Sequence, residues 1–236
     1  MGICPNAIDI AAAPFRGQSE GYLAFLGRMA PEKGIEAAIV LARESGLPLM
    51  IAAKCRERAE QEYFDKAVAP HLGPDVVFLG ELDSEATYDF LSRALALLFP
   101  ICWREPFGMV LIETMACGTP VLATNRGAVG EIVVDGVTGF IRDTAAELGP
   151  LIDRIDEIDR TACRRHVAQH FSTDALVRGY TRMLPSRQQS QQSLGAASPM
   201  VFMAPAGPST PRPEPHTPPF SQRRSPIGAT RHRAAR

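Results

Sequence analysis

Between residues 22 and 124 the apolar positions fall into two alternating patterns. YLAFLG, PLMIAA, DVVFLG, ALALLFP and PVLAT are short, nearly unbroken apolar runs, which is how a strand buried on both faces of a sheet reads. The longer stretches between them have spaced apolar positions with charged residues interspersed, as helices with one buried stripe do. They predict a helix beginning near Lys33, one through RERAEQEYFDKAV, one over about 84–93 and one over about 108–117. Strand and helix in strict alternation predict an α/β fold, a Rossmann-like parallel sheet flanked by helices. The punctuation agrees: Ser84 before Glu85 suits an N-cap, Gly118 suits the position after a helix end, and Gly46-Leu47-Pro48 stops the helix before it. After Gly139-Phe140-Ile141, residues 143–159, 161–171 and 174–184 predict a closing set of helices.

The periodicity fails beyond Leu184. Residues 185–236 hold ten of the chain's twenty prolines, seven arginines and one acidic residue, Glu214, a composition expected to be disordered. PRPEP and HTPP within it have the form of polyproline ligands, although a solvated tail needs no partner. The tail carries a formal charge of +6 in a chain of net −1, which leaves −7 on residues 1–184 and argues against nucleic acid as a partner of the folded part. Five scattered cysteines show no paired or metal-ligand spacing and read as reduced thiols of a cytoplasmic protein; no metal site is expected. The first residues lack the basic and apolar regions of a secretion signal, Asn6 stands where a myristoylation signal needs Ser or Thr, and no apolar run reaches the roughly eighteen residues of a membrane span.

Candidate chemistry lies where strands end. Gly27-Arg28-Met29-Ala30-Pro31-Glu32-Lys33-Gly34 follows the first strand, at the edge of a parallel sheet where ligands bind. Glycine admits a close approach, and Arg28 and Lys33 offer a fork and a point charge to a diphosphate, though each could equally be a solvated surface cation. Glu105-Pro106-Phe107-Gly108-Met109-Val110-Leu111-Ile112-Glu113 follows the fourth strand and sets two carboxylates eight positions apart around a helix N-terminus, itself an anion site. Taken singly, Glu105 could be a surface acid and Glu113 a buried, paired one. The glycine-bearing turn of residues 124–132 reaches the same edge, and the Asp135-Gly136 turn need touch no ligand.

The order PNAID, FLGRMAPEKG, VVFLGEL, EPFGMVLIETMACGTPVLAT, GEIVVDGVTGFI resembles the C-terminal, donor-binding domain of the glycosyltransferase family 4 (group 1) enzymes over roughly residues 4–184. Such enzymes have two Rossmann-like domains of the GT-B type. They transfer a sugar from a nucleotide donor with retention of configuration and without a metal. The resemblance implies that residues 1–20 are a linker remnant and 21–184 the nucleotide-sugar-binding domain, and that no cofactor is needed beyond the nucleoside-diphosphate sugar substrate. It places the family's two glutamates on Glu105, against the donor sugar, and Glu113, against the ribose, and the basic pair on Arg28 and Lys33, against the departing diphosphate. Phe107, Gly108, Met109 and Val110 would line sugar and phosphate through backbone groups, Gly27 would also be donor-binding, and Leu79 and Gly80 would flank the base. Asn6-Ala7 departs from the usual Asn-Gly of the linker. No acceptor domain precedes the linker, so transfer is expected to need an acceptor-domain partner chain, or the open face to self-associate. The rival expectation is a nucleotide-binding or scaffold module without catalysis. An epimerase or phosphorylase on the same fold is a third, the latter needing a pyridoxal-binding lysine that no segment suggests.

Overall fold

The computed structural model describes residues 4–183. The strands are β1 (Leu23–Arg28), β2 (Leu49–Lys54), β3 (Val76–Gly80), β4 (Ala96–Phe99), β5 (Val121–Thr124) and β6 (Gly139–Arg142), and every pairing between them is parallel. The first five are the five apolar runs. Their order across the sheet is β3-β2-β1-β4-β5-β6. The chain therefore builds outward from β1 in one direction, returns, and lays β4, β5 and β6 on the other side. At that reversal, between the carboxyl ends of β1 and β4, the loops leave in opposite directions and open a crevice.

Helices α1 (Ile35–Ser45), α2 (Arg58–Ala67), α3 (Ser84–Arg93) and α4 (Met109–Ala116) make the crossovers. Ile35, Ala38, Ile39, Leu41 and Ala42 form the buried stripe of α1, and Leu111, Ile112, Met115 and Ala116 that of α4. They close over strands whose central side chains, such as Leu23, Ile51, Leu97, Leu98 and Leu122, are fully buried. Each such side chain contributes about 1.5 to 3 kcal/mol by leaving water.

The helix expected near Lys33 starts at Ile35 instead. Pro31–Lys33 make one 3-10 turn, and Gly34, at φ 75°, ends it against the Pro100 carbonyl, where a β-carbon would collide with the backbone. The cap of α3 is Asp83, whose carboxylate accepts the Ala86 N–H at 2.9 Å, one residue before the Ser84 expected. The helix expected over 143–159 is broken into a 3-10 turn, Ala146–Leu148, the four-residue α6 (Gly149–Ile152) and a second 3-10 turn, Ile155–Glu157. Pro150 has no N–H to extend a helix from the preceding turn, so one is not propagated there. The glycine-bearing turn contains a four-residue helix, α5 (Val129–Ile132). Helices α7 (Arg160–His170) and α8 (Thr173–Met183) close the domain, α7 capped by Asp159 through the Thr161 N–H at 2.8 Å. Ile8 bridges to Ser172, and its N–H donates to Phe171 at 2.9 Å, so the start of the described chain lies against its end. Leu184 and the expected disordered tail lie outside the described residues.

Candidate functional site

At the reversal point the ends of β1 and β4 and the start of α4 enclose a cavity of about 470 Å³. Gly27, Arg28, Lys33, Glu105, Gly108, Met109, Val110 and Glu113 line it, together with Trp103, which the sequence did not single out. Two loops and a helix distant in sequence thus supply one concave surface.

Lys33 is the most constrained of the cations. Its Nζ lies 3.0 Å from Glu105 Oε2, with both side chains largely buried, and 4.5 Å from the centre of the Trp103 ring. An ammonium between a carboxylate and an aromatic face is attracted from both sides, by opposite charge and by the ring's negative face. Arg28 is looser and about half exposed: its terminal nitrogen donates to Glu32 Oε1 at 2.7 Å, and its Nε stands 4.0 Å from Glu60 Oε1. The backbone N–H of Glu32 itself, and then Arg28, hold the Glu32 carboxyl below the usual range. Glu113 has no ion pair among the described residues, and burial pushes its carboxyl above the usual range.

Gly108, at φ 87°, precedes α4 without a side-chain cap; the Leu111 N–H donates to the Gly108 carbonyl at 3.0 Å, which leaves the N–H groups of Met109 and Val110 for a ligand at the cavity wall. Anions are favoured there by those donors and by the helix dipole. The position of Glu105 is set by the glycine-bearing turn: Gly127, at φ 63°, lies on the Glu105 backbone where any β-carbon would overlap it, and the Ala128 N–H donates to the Glu105 carbonyl at 2.9 Å. Thr124 Oγ1 donates to the Ile101 carbonyl at 2.6 Å and ties the start of the same loop to β5. The turn braces the site rather than lining it.

Three of the expected residues are not among those lining this cavity. The Phe107 ring packs edge-on against Phe171, centroids 6.1 Å apart, beside a second cavity of about 920 Å³ between the N-terminal segment, α7 and α8. Leu79 and Gly80 end β3, the edge strand two places from β1, and Leu79 faces a separate depression with Tyr22, Leu82 and Phe90. A strand spacing of about 4.8 Å sets them roughly 10 Å to the side of β1, within reach of an extended ligand but not of the cavity itself. The wider second cavity lacks the paired charges and the strand ends. Among the described residues no group of three or more His, Cys, Asp and Glu could hold a metal ion, and no helix is long and apolar enough to cross a membrane.

The family description "Glycosyl transferases group 1" matches residues 9–170. A lipopolysaccharide 1,2-N-acetylglucosaminetransferase of Salmonella typhimurium is 26% identical over 190 residues, covering 76% of this chain and 43% of that protein. A D-inositol 3-phosphate glycosyltransferase of Mycolicibacterium smegmatis is 31% identical over 195 residues, covering 76% of this chain and 44% of its own length. The chain thus spans less than half the length of these curated relatives. Among solved structures, AviGT4, a glycosyltransferase involved in avilamycin A biosynthesis, superposes with a TM-score of 0.60 at 27% identity over 83% of this chain and 59% of the other. Anabaena HepE, solved with UDP and glucose, shares the fold at a TM-score of 0.63 and 20% identity, over 82% of this chain and 56% of HepE. With the match covering more than half of its length, this chain belongs to the group 1 glycosyl transferases.

Proposed function

We propose that the cavity between β1 and β4 binds a nucleoside-diphosphate sugar, and that the chain is the donor-binding, C-terminal half of a retaining glycosyltransferase. One observation carries the reading: an uncapped helix N-terminus, two cations and two carboxylates converge on one concave surface at the sheet's reversal point. Arg28, Lys33 and the first turn of α4 meet the diphosphate and stabilise the charge that grows on it as the sugar–oxygen bond breaks. Glu105 meets the sugar hydroxyls and Glu113 the ribose diol. Transfer needs a second wall that binds the acceptor and excludes water, supplied by another domain or chain; the length of the relatives beyond the matched region supports this.

Thermal unfolding of the full chain with UDP, GDP and ADP and their sugars tests the donor site. A nucleotide at a hundred times its Kd adds about 2.7 kcal/mol, or a rise of roughly 5 to 10 °C at this size. One base is expected to stabilise the protein, and Arg28→Ala and Glu113→Ala to reduce the rise. Absence of any rise with all three would reject the donor site.

A further inference from the structure

Behind Arg28 stands a buried carboxylate to which the proposed chemistry gives no part. Glu60 lies in the first turn of α2, its side chain only 5% exposed. Its Oε2 accepts the N–H groups of Arg56 at 2.9 Å and Glu57 at 3.1 Å, one half of a capping box with Glu57. These N–H groups, that of Glu57 first, hold the carboxyl below the usual range. Capping α2 engages that one oxygen. The other, Oε1, is buried without a hydrogen bond among the described residues, an arrangement proteins avoid unless something else holds it there.

Two cations face that oxygen. Lys54 Nζ is 3.6 Å away and Arg28 Nε 4.0 Å away, from the last residues of β2 and β1. The register makes Arg28 and Lys54 direct partners across the parallel pair, so like charges emerge side by side at the carboxyl edge of the sheet. Arg28, half exposed and otherwise tied among the described residues only to Glu32, would be pushed outward by Lys54 if nothing negative lay between them. Lys54 is itself drawn off by Glu57 at 2.7 Å.

We propose that Glu60 is a positioning residue for the donor site. Locked to the first turn of α2, its second oxygen offsets the repulsion of Lys54 and keeps the Arg28 guanidinium at the cavity rim, ready for a diphosphate. The inference rests on the reading that Arg28 meets that diphosphate. It differs from a purely structural account of Glu60 in what it couples. A cap stabilises α2 whatever Arg28 does, whereas a positioning residue acts on binding only through Arg28.

Calorimetric titration of the full chain with UDP, GDP and ADP separates these, using wild type, Arg28→Ala, Glu60→Gln and the double variant, with the unfolding temperature of each recorded. Glu60→Gln keeps an oxygen for the cap and removes the charge. It is expected to weaken nucleotide binding about tenfold, the scale of a charge-assisted contact, and to add nothing once Arg28 is alanine. If Glu60→Gln impairs folding, Glu60→Asp, which keeps the charge but shortens its reach, takes its place in the same cycle. An unchanged Kd in the Glu60 variant, or an equal loss in the Arg28→Ala background, overturns the inference and leaves the donor site standing. No binding by wild type, or wild-type binding that Arg28→Ala does not weaken, removes the reading beneath it and the inference too.

Discussion

Glu105 and Glu113 line one cavity under different constraints: Lys33 pairs with Glu105, whereas burial pushes the Glu113 carboxyl up with no cation among the described residues to offset it. A carboxyl whose value is raised in the folded chain binds its proton more tightly there than in the unfolded chain. Stability therefore falls as pH rises from the ordinary carboxylate range through the raised value. Glu113→Gln removes that loss. The variant is expected to unfold at a higher temperature than wild type at neutral pH, with the two converging as the pH falls below about 4. Calorimetric scans across that range check it. In the presence of the stabilising nucleotide the order should reverse, because the same substitution removes the carboxylate proposed to meet the ribose.

Loops between elements fix the site, and glycine governs two of them. Gly34 lets the turn after β1 meet the Pro100 carbonyl, and Gly127 lets the turn after β5 rest on the Glu105 backbone. Gly127→Ala adds both a strained φ and an overlap with backbone, which cannot swing aside as a side-chain tip does. A loss of about 2 kcal/mol or more is expected, read by urea unfolding, together with weaker binding of nucleotide sugar as Glu105 is displaced. The sequence showed a glycine turn at this place but not what the turn would touch, since that contact joins residues about twenty apart through the sheet order. The same limit explains Trp103 and Glu60. A tryptophan in a loop and a glutamate in a helix's first turn are common, and only the register of β1 with β2 and the crossing of β4 beside β1 bring them to Lys33 and Arg28. The apolar runs and the strand–helix alternation were legible because burial on both faces fills β4 and β5, and most of β1 and β2, with apolar residues, while β3 at the sheet edge keeps an apolar run though only partly buried. The helix expected over 143–159 was not, because its apolar positions, Leu148, Leu151, Ile152, Ile155 and Ile158, are buried by short broken turns as well as a continuous helix would bury them.

At the scale of the whole described domain, two arginines of α7 tie the N-terminal segment and the ends of α3 and α4 to that helix. Arg160 donates to the carbonyls of Arg16, Ala94 and Ser92 and to Thr119 Oγ1, all between 2.8 and 2.9 Å. Arg164 donates to the carbonyls of Ala13, Ala116 and Ile10. Arg160→Ala leaves several half-buried acceptors unpaired and is expected to cost about 3 kcal/mol, a fall of roughly 6 to 12 °C in the unfolding temperature. With the remaining fold intact, nucleotide affinity should be unchanged, since Arg160 lies outside the cavity between β1 and β4. On the outer face, Val177 and Tyr180 of α8 are more than half exposed.

Trp103 is the chain's one tryptophan, and its ring faces the ammonium that Glu105 holds. The molecule's indole emission therefore arises beside the candidate site and nowhere else. A diphosphate that drew Lys33 from Glu105 would also change the charge over the ring, so titration with the binding nucleotide should shift the emission. Lys33→Met should abolish most of that shift. Occupancy of the cavity could then be followed by light alone, without a label or a product.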